Sequence, residues 1–229
     1  MVSTKIGRVP GRDGLEIKFD YSSAGLRDAL QRSLDALGLP AVDLLFLHEP
    51  AYVPGAERPR VVAVMHQLQA DGLTRRLGVA GGQGAEWDGY IETGNFDVVM
   101  LFRRLDAAIL DGLTADLPRV RQAGLATYGA SPLHMGLLGN RYGEFVRERP
   151  DWVWPAQIER AVRLQALANR QGMPLSTLAH RFMFSVAEVD RVVIGARNPA
   201  GLAAALADFS AGPLPAGLFD EISSPTLVP

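Results

Sequence analysis

Short aliphatic runs alternate with segments of helical periodicity along the whole chain, which restricts it to βα units around a parallel sheet. The candidate strands are residues 4–9, 43–48, 76–80, 97–102, 125–129 and 191–195. They are densely apolar rather than alternating with polar residues, as befits strands covered on both faces. Helices fill the gaps. Ser22 or Ser23 caps a segment in which Leu26, Leu30, Leu34 and Leu37 recur at near-helical spacing. Others are expected over 59–71, burying Val62, Met65 and Leu68, and over 109–123, ended by Gly124. The last three fall over 156–171 (closed by Gly172), 175–184 and 199–209. The 24 glycines and 15 prolines are dispersed as turn punctuation with no compositional break, so residues 1–229 read as a single domain.

Composition excludes several classes of function. A chain of 229 residues, 48% hydrophobic and 21% charged, can bury a large core and reads as an ordinary soluble protein. The net charge of −2 with scattered basic residues gives no footprint for nucleic acid or an anionic membrane. With no cysteine there is no disulfide, thiol catalysis or thiolate-held metal. No apolar run reaches the ~18 residues of a membrane helix. The N-terminus carries no apolar signal region, so a cytoplasmic location is expected.

The chemistry lies at strand ends. Lys5, His48, Ala80, Ser131 and Gly195 all stand at or just beyond the carboxyl ends of expected strands, where parallel barrels carry their active sites. Lys5 is unusual within an apolar strand, although a strand-end lysine can also snorkel to water. His48 closes a strongly hydrophobic strand and is either an acid–base group or a satisfied structural histidine. His134 sits in a Pro-Leu-His-Met-Gly loop at the expected mouth, whereas His66 and His180 fall within helices.

Ser3-Thr4-Lys5-Ile6-Gly7 and Val42-Asp43-Leu44-Leu45-Phe46-Leu47-His48-Glu49-Pro50 resemble the strands that carry the active-site lysine and histidine of aldo-keto reductases. The likeness continues through Phe19-Asp20-Tyr21-Ser22, Ser33-Leu34-Asp35-Ala36-Leu37-Gly38 and Leu77-Gly78-Val79-Ala80-Gly81. It extends through the stretch from Gly129 to Leu138, then Trp154-Pro155-Ala156 and Val193-Ile194-Gly195-Ala196-Arg197. It is strongest toward the galactose, fucose and threo-aldose dehydrogenase branch. It implies a (β/α)8 TIM-barrel fold and an NAD(P)-dependent oxidoreductase acting on a sugar or small aldehyde. By the same resemblance Lys5 and His48 are catalytic, and Ser131, Leu133, Gly195 and Arg197 contact NADP or NAD. Arg197 tilts the choice toward a 2′-phosphate.

The pattern also departs from that family. There, two βα units precede the lysine strand and carry an aspartate and the proton-donating tyrosine. Here the motif begins at Ser3, so the expectation is a barrel shortened at its N-terminus to about six βα units. Carboxamide contacts held elsewhere by Ser-Asn and Gln read Ala80-Gly81 and Met100-Leu101-Phe102, and Gly201 and Ala205 replace polar adenine contacts. Six strands leave unpaired edges, open to a rearranged closure, to a second copy as homo-oligomer, or to a fragment whose start lies upstream. Residues 7–19 can form a hairpin over part of the gap. The alternatives to a reductase are a lyase, dehydratase or isomerase using His48, or a non-catalytic binding subunit.

Overall fold

The structure is a computed structural model that describes residues 1–10, 17–82 and 85–224. It divides into two compact units, Met1–Met100 with Val120–Ala126, and Leu101–Arg119 with Thr127–Pro229.

The first unit runs β1 (Ser3–Ile6), β2 (Arg8–Pro10), β3 (Ile17–Phe19), α1 (Ser23–Leu37) and β4 (Leu44–His48). It continues with α2 (Arg58–Ala70), β5 (Leu77–Ala80), α3 (Asp88–Glu92) and the start of β6 (Val98–Phe102). β1 pairs with β4, β4 with β5 and β5 with β6, all in parallel. Ser22 is the cap of α1, its Oγ accepting from the Gly25 N–H at 3.0 Å. Gly38 ends the helix in the left-handed region. Leu26, Leu30 and Leu34 are buried, whereas Leu37, in the last turn, is 47% exposed.

The strand expected over 4–9 is two strands. Gly7 breaks it at φ +104°, and a Cβ there would lie 2.5 Å from the Tyr21 ring, so only glycine permits the turn. β2 then returns antiparallel to β3, with Arg8 opposite Phe19, which is the hairpin expected over 7–19. Its residues 11–16 lie outside the described residues.

Register decides which side chains share a face. Lys5 lies opposite Phe46, Phe46 opposite Gly78, His48 opposite Ala80, and Ala80 opposite Met100. Side chains alternate along a strand, so Lys5, Phe46, His48, Ala80 and Met100 point to one face. Thr4, Ile6, Leu45, Leu47 and Val79 point to the other. There α1 packs, and Thr4 Oγ1 donates to Ser33 Oγ at 3.0 Å.

The second unit contains the rest of β6, the start of α4 (Leu117–Gln122), most of β7 (Ala126–Ala130), then α5 (Tyr142–Glu148) and α6 (Pro155–Arg170). It ends with α7 (Leu175–Ser185), β8 (Arg191–Val193), α8 (Pro199–Ser210) and α9 (Ala216–Ser223). β7 and β8 pair in parallel, Gly129 opposite Val192. Asp190 ties the start of β7, accepting from the Thr127 N–H at 2.7 Å. Phe182 stacks on Phe219 between α7 and α9, and Phe184 meets Phe209 edge-on between α7 and α8.

The helix expected over 109–123 starts later. The Asp106 carboxylate accepts from the N–H groups of Ala108 and Ile109, holding a turn there instead. A single π-helical turn, Gly112–Asp116, leads into α4. The short helices α3 and α5, and α9, are additional to the sequence expectation. All six expected strands are present in an α/β arrangement with parallel pairing. Among the described residues no helix is long and apolar enough to cross a membrane.

Gly78 is where this packing is least forgiving. A Cβ there would stand 2.7 Å from the Phe46 ring and 2.8 Å from the Val98 carbonyl oxygen. Gly78→Ala is expected to cost about 1–3 kcal/mol, read as a lower urea midpoint at unchanged slope.

Candidate active site

Two charge-capable side chains share one face at the carboxyl end of the first unit's sheet. Lys5 is the penultimate residue of β1 and His48 the last of β4, on the same face. Of the chain's 23 basic residues only Lys5 and Lys18 are lysines, a scarcity that itself marks Lys5. Lys5 reaches solvent, yet the protein beside it lowers its pKa from the ordinary lysine value. Desolvation is the main cause; Arg8 adds to it, and Glu49 acts the other way. His48 is pushed down to about 4, first by burial, then by the positive charges of Lys5 and Arg8. The imidazole is therefore neutral near pH 7, where it is an N–H donor rather than a charged acid.

The backbone after His48 is held by a clamp. The Tyr21 hydroxyl lies 2.9 Å from the His48 carbonyl and 2.7 Å from the Glu49 carbonyl, so one hydrogen is shared between two acceptors. Tyr21 is buried, and its pKa is raised by desolvation, then by the Glu49 and Tyr52 charges. A hydroxyl so engaged is a fastener. Phe19 at the end of the hairpin stacks on Tyr52 at 4.4 Å and on Tyr21 at 5.8 Å. Glu49 itself adopts φ 52°, ψ 57°, a left-handed conformation for a residue that precedes proline. Its N–H donates to the Ala80 carbonyl at 2.7 Å, and its Oε2 accepts from the Gly82 N–H at 2.9 Å.

The second unit holds the four candidate cofactor residues. Ser131 follows β7 with φ +63°, and its Oγ accepts from the Met135 N–H at 3.3 Å. Leu133 is half-buried in the same loop. Gly195 and Arg197 lie exposed between β8 and α8, and a Cβ at Gly195 would meet nothing within 4 Å. Asn198 caps α8, its side chain accepting from the Gly201 N–H at 2.8 Å. No carboxylate among the described residues pairs with Arg197. An exposed arginine at the start of a 12-residue helix suits an anionic group such as phosphate.

His134, a candidate by position, is structural. It is fully buried, its Nδ1 2.7 Å from Asp106 Oδ2 and its Nε2 3.2 Å from Gln157 Oε1. That oxygen also accepts from the Trp154 N–H. The network ties the loop after β7 to the first turn of α6. Its partners lie 28 and 23 residues away, a separation that no local pattern reveals. His180 is likewise held, 2.7 Å from Asp208.

A model described as the aldo/keto reductase family matches residues 1–224. D-threo-aldose 1-dehydrogenase of a Pseudomonas species is 26% identical over 223 residues, which are 95% of this chain and 66% of the relative. L-galactose dehydrogenase of Arabidopsis thaliana is 26% identical across 85% of this chain and 59% of its own length. The chain thus spans about two thirds or less of these curated relatives. Among solved structures, the glycerol dehydrogenase of Gluconobacter oxydans superposes with a TM-score of 0.72 at 20% identity, covering 96% of this chain and 71% of that one. An aldo-keto reductase of Bacillus halodurans in its holo form gives 0.70 at 19%, covering 97% and 72%. At such identities the likeness is one of fold.

The geometry has two measurable outcomes. With a folded pKa of about 4 against 6.5 unperturbed, His48 binds its proton less readily in the folded chain than in the unfolded one. Stability present above pH 6.5 is therefore lost as pH falls toward 4, by roughly 2–3 kcal/mol for a ring not fully buried. His48→Gln should flatten that slope in urea titrations at pH 7 and pH 4.5. Asp106→Asn should cost about 2–3 kcal/mol at neutral pH, because it removes the carboxylate on which a buried imidazole depends.

Proposed function

The chain belongs to the aldo/keto reductase family, and we propose that it is an NAD(P)-dependent oxidoreductase acting on a sugar or small aldehyde. The observation that carries this reading is the pairing of Lys5 and His48 on one face at the carboxyl ends of neighbouring strands. Names of relatives support the substrate class: D-threo-aldose 1-dehydrogenase and L-galactose dehydrogenase act on sugars, and an Escherichia coli relative is named for methylglyoxal.

When bound, the nicotinamide would supply or accept the hydride. The protein's part is orientation and charge. Neutral His48 donates a hydrogen bond to the substrate oxygen, the Lys5 ammonium stabilises negative charge developing there, and solvent reaching Lys5 supplies the proton that completes the alcohol. Tyr21 takes no part in proton transfer, its hydroxyl being committed to two backbone carbonyls. Arg197 and Gly195 would hold cofactor phosphate at the start of α8, with Ser131 and Leu133 alongside the rest. The exposed Arg197 favours NADP over NAD. Residues 1–229 act as one domain in this reading.

Self-association belongs to the same proposal. Leu202, Leu206 and Phe209 stand on α8 at 47%, 57% and 63% exposure, an apolar stripe on a helix whose Ala200, Ala203 and Ala204 are also exposed. Light scattering at micromolar concentration should report more than one copy; a clean monomer removes this part.

Fluorescence titration of the purified chain with NADPH and NADH tests the central reading, followed by assays on aldoses and short aldehydes. Saturable binding with turnover is expected. No saturable binding would eliminate the oxidoreductase reading for these 229 residues, and binding without turnover would favour a non-redox role. His48→Asn should lower kcat/KM by about 100-fold while leaving cofactor affinity unchanged.

A further inference from the structure

A stack of aromatic rings leads from the end of β4 toward solvent. Tyr21 is its fixed end: the hydroxyl donates to the His48 and Glu49 carbonyls, and the ring lies against Gly7, where a Cβ would clash with it. Phe19 stacks on Tyr21 with centroids 5.8 Å apart and planes 6° from parallel. Tyr52 stacks on Phe19 at 4.4 Å and 16°. The far end is held as well. Tyr52 closes a single 3-10 helical turn, Pro50–Tyr52, in which its N–H donates to the Glu49 carbonyl and the Val53 N–H to the Pro50 carbonyl. Val53, the next residue, is buried and anchors the turn.

A parallel stack covers one face of a ring. Tyr52 nevertheless keeps 62% exposure, so its other face is open to water. The ring is therefore in place before anything binds, and little further order has to be imposed when something does. The face of a phenol ring is its negative side, and it attracts C–H bonds polarised by neighbouring oxygens. A galactose-type ring offers a patch of such bonds on one face. Tyr52 belongs to the same unit as Lys5 and His48 and follows His48 in the same strand-end loop, whereas the four candidate cofactor residues belong to the second unit. That favours substrate over nicotinamide as the group on Tyr52.

We propose that the open face of Tyr52 is a stacking platform for the sugar ring of the substrate, and that it selects cyclic aldoses over short aldehydes. The sugar as substrate rests on the oxidoreductase reading; the stacking is measurable without it. Phe19 and Tyr21 stand between Tyr52 and the His48 carbonyl, so the platform takes the part of the sugar remote from the reacting carbon. Binding energy gained there serves selection and positioning.

Saturation-transfer NMR on the full chain, with galactose as the probe and no cofactor, tests the platform. Transfer should concentrate on the protons of one ring face and survive in Tyr52→Phe. It should fall in Tyr52→Ala, with affinity about 2- to 10-fold weaker. Tyr52→Trp, which widens the face, should strengthen binding and gives a readable gain if the alanine variant folds poorly. No transfer in the parent, equal transfer to all ring protons, or transfer unaltered in Tyr52→Ala overturns the proposal. So does a parent oligomer that Tyr52→Ala converts to a monomer in light scattering, because a second copy then covers the face. Where the chain turns over substrate, Tyr52→Ala should raise KM for galactose several-fold more than KM for methylglyoxal, which has no ring. Face-selective transfer in a chain that binds neither NADPH nor NADH would sustain the platform and reject the oxidoreductase reading. Saturable cofactor binding without galactose transfer would do the reverse.

Discussion

The parallel register of β1, β4 and β5 is the constraint on which the candidate site depends. Side chains alternate along a strand, so a slip of one residue between β1 and β4 would turn Lys5 toward α1 and leave Thr4 beside His48. Two features forbid the slip. Ile6 and Leu47 are fully buried on the helix side, and the Thr4 to Ser33 bond fixes β1 against α1. Phe46, buried opposite Lys5, fills the space that Gly78 vacates. The core therefore aims two polar side chains as a by-product of burying apolar ones.

Beyond the strand ends the difficulty is one of backbone rather than of packing. A chain leaving β4 must turn at once, and the turn is bought with strain at Glu49 and secured by hydrogen bonds from Tyr21 and to Ala80. Gly7, beneath the Tyr21 ring, and Gly81, beneath the Glu49 carboxylate, lack the Cβ that either contact would exclude. In the second unit the equivalent task falls to the buried Asp106–His134–Gln157 network, which fixes the loop after β7 from within the core. One loop is held by backbone carbonyls and a hydroxyl, the other by a buried imidazole between a carboxyl group and an amide.

Much of this was legible in the residues. Strand positions, the Ser22 cap and the placement of Lys5 and His48 at strand ends come from apolar density, capping chemistry and the logic of parallel sheets. The break at Gly7 was not legible, because only the approach of Tyr21 from fourteen positions further on makes that glycine obligatory. His134 looked like a mouth residue because its loop position was visible, while Asp106 and Gln157, its partners, were distant in sequence. The lowering of the His48 pKa comes from burial together with Lys5 and Arg8, a sum of fields that no motif records. Glu49 carried one overlooked signal, an acidic residue before proline at the end of a buried strand.

The left-handed backbone at position 49 has an evolutionary reading. A residue that lowers stability where glycine or asparagine would not is a standing target for drift, since single-base changes can convert a glutamate codon to glycine. Exchange for glycine would relieve that backbone but give up the bond from the Gly82 N–H to the Glu49 carboxylate, so the two effects on the fold oppose one another.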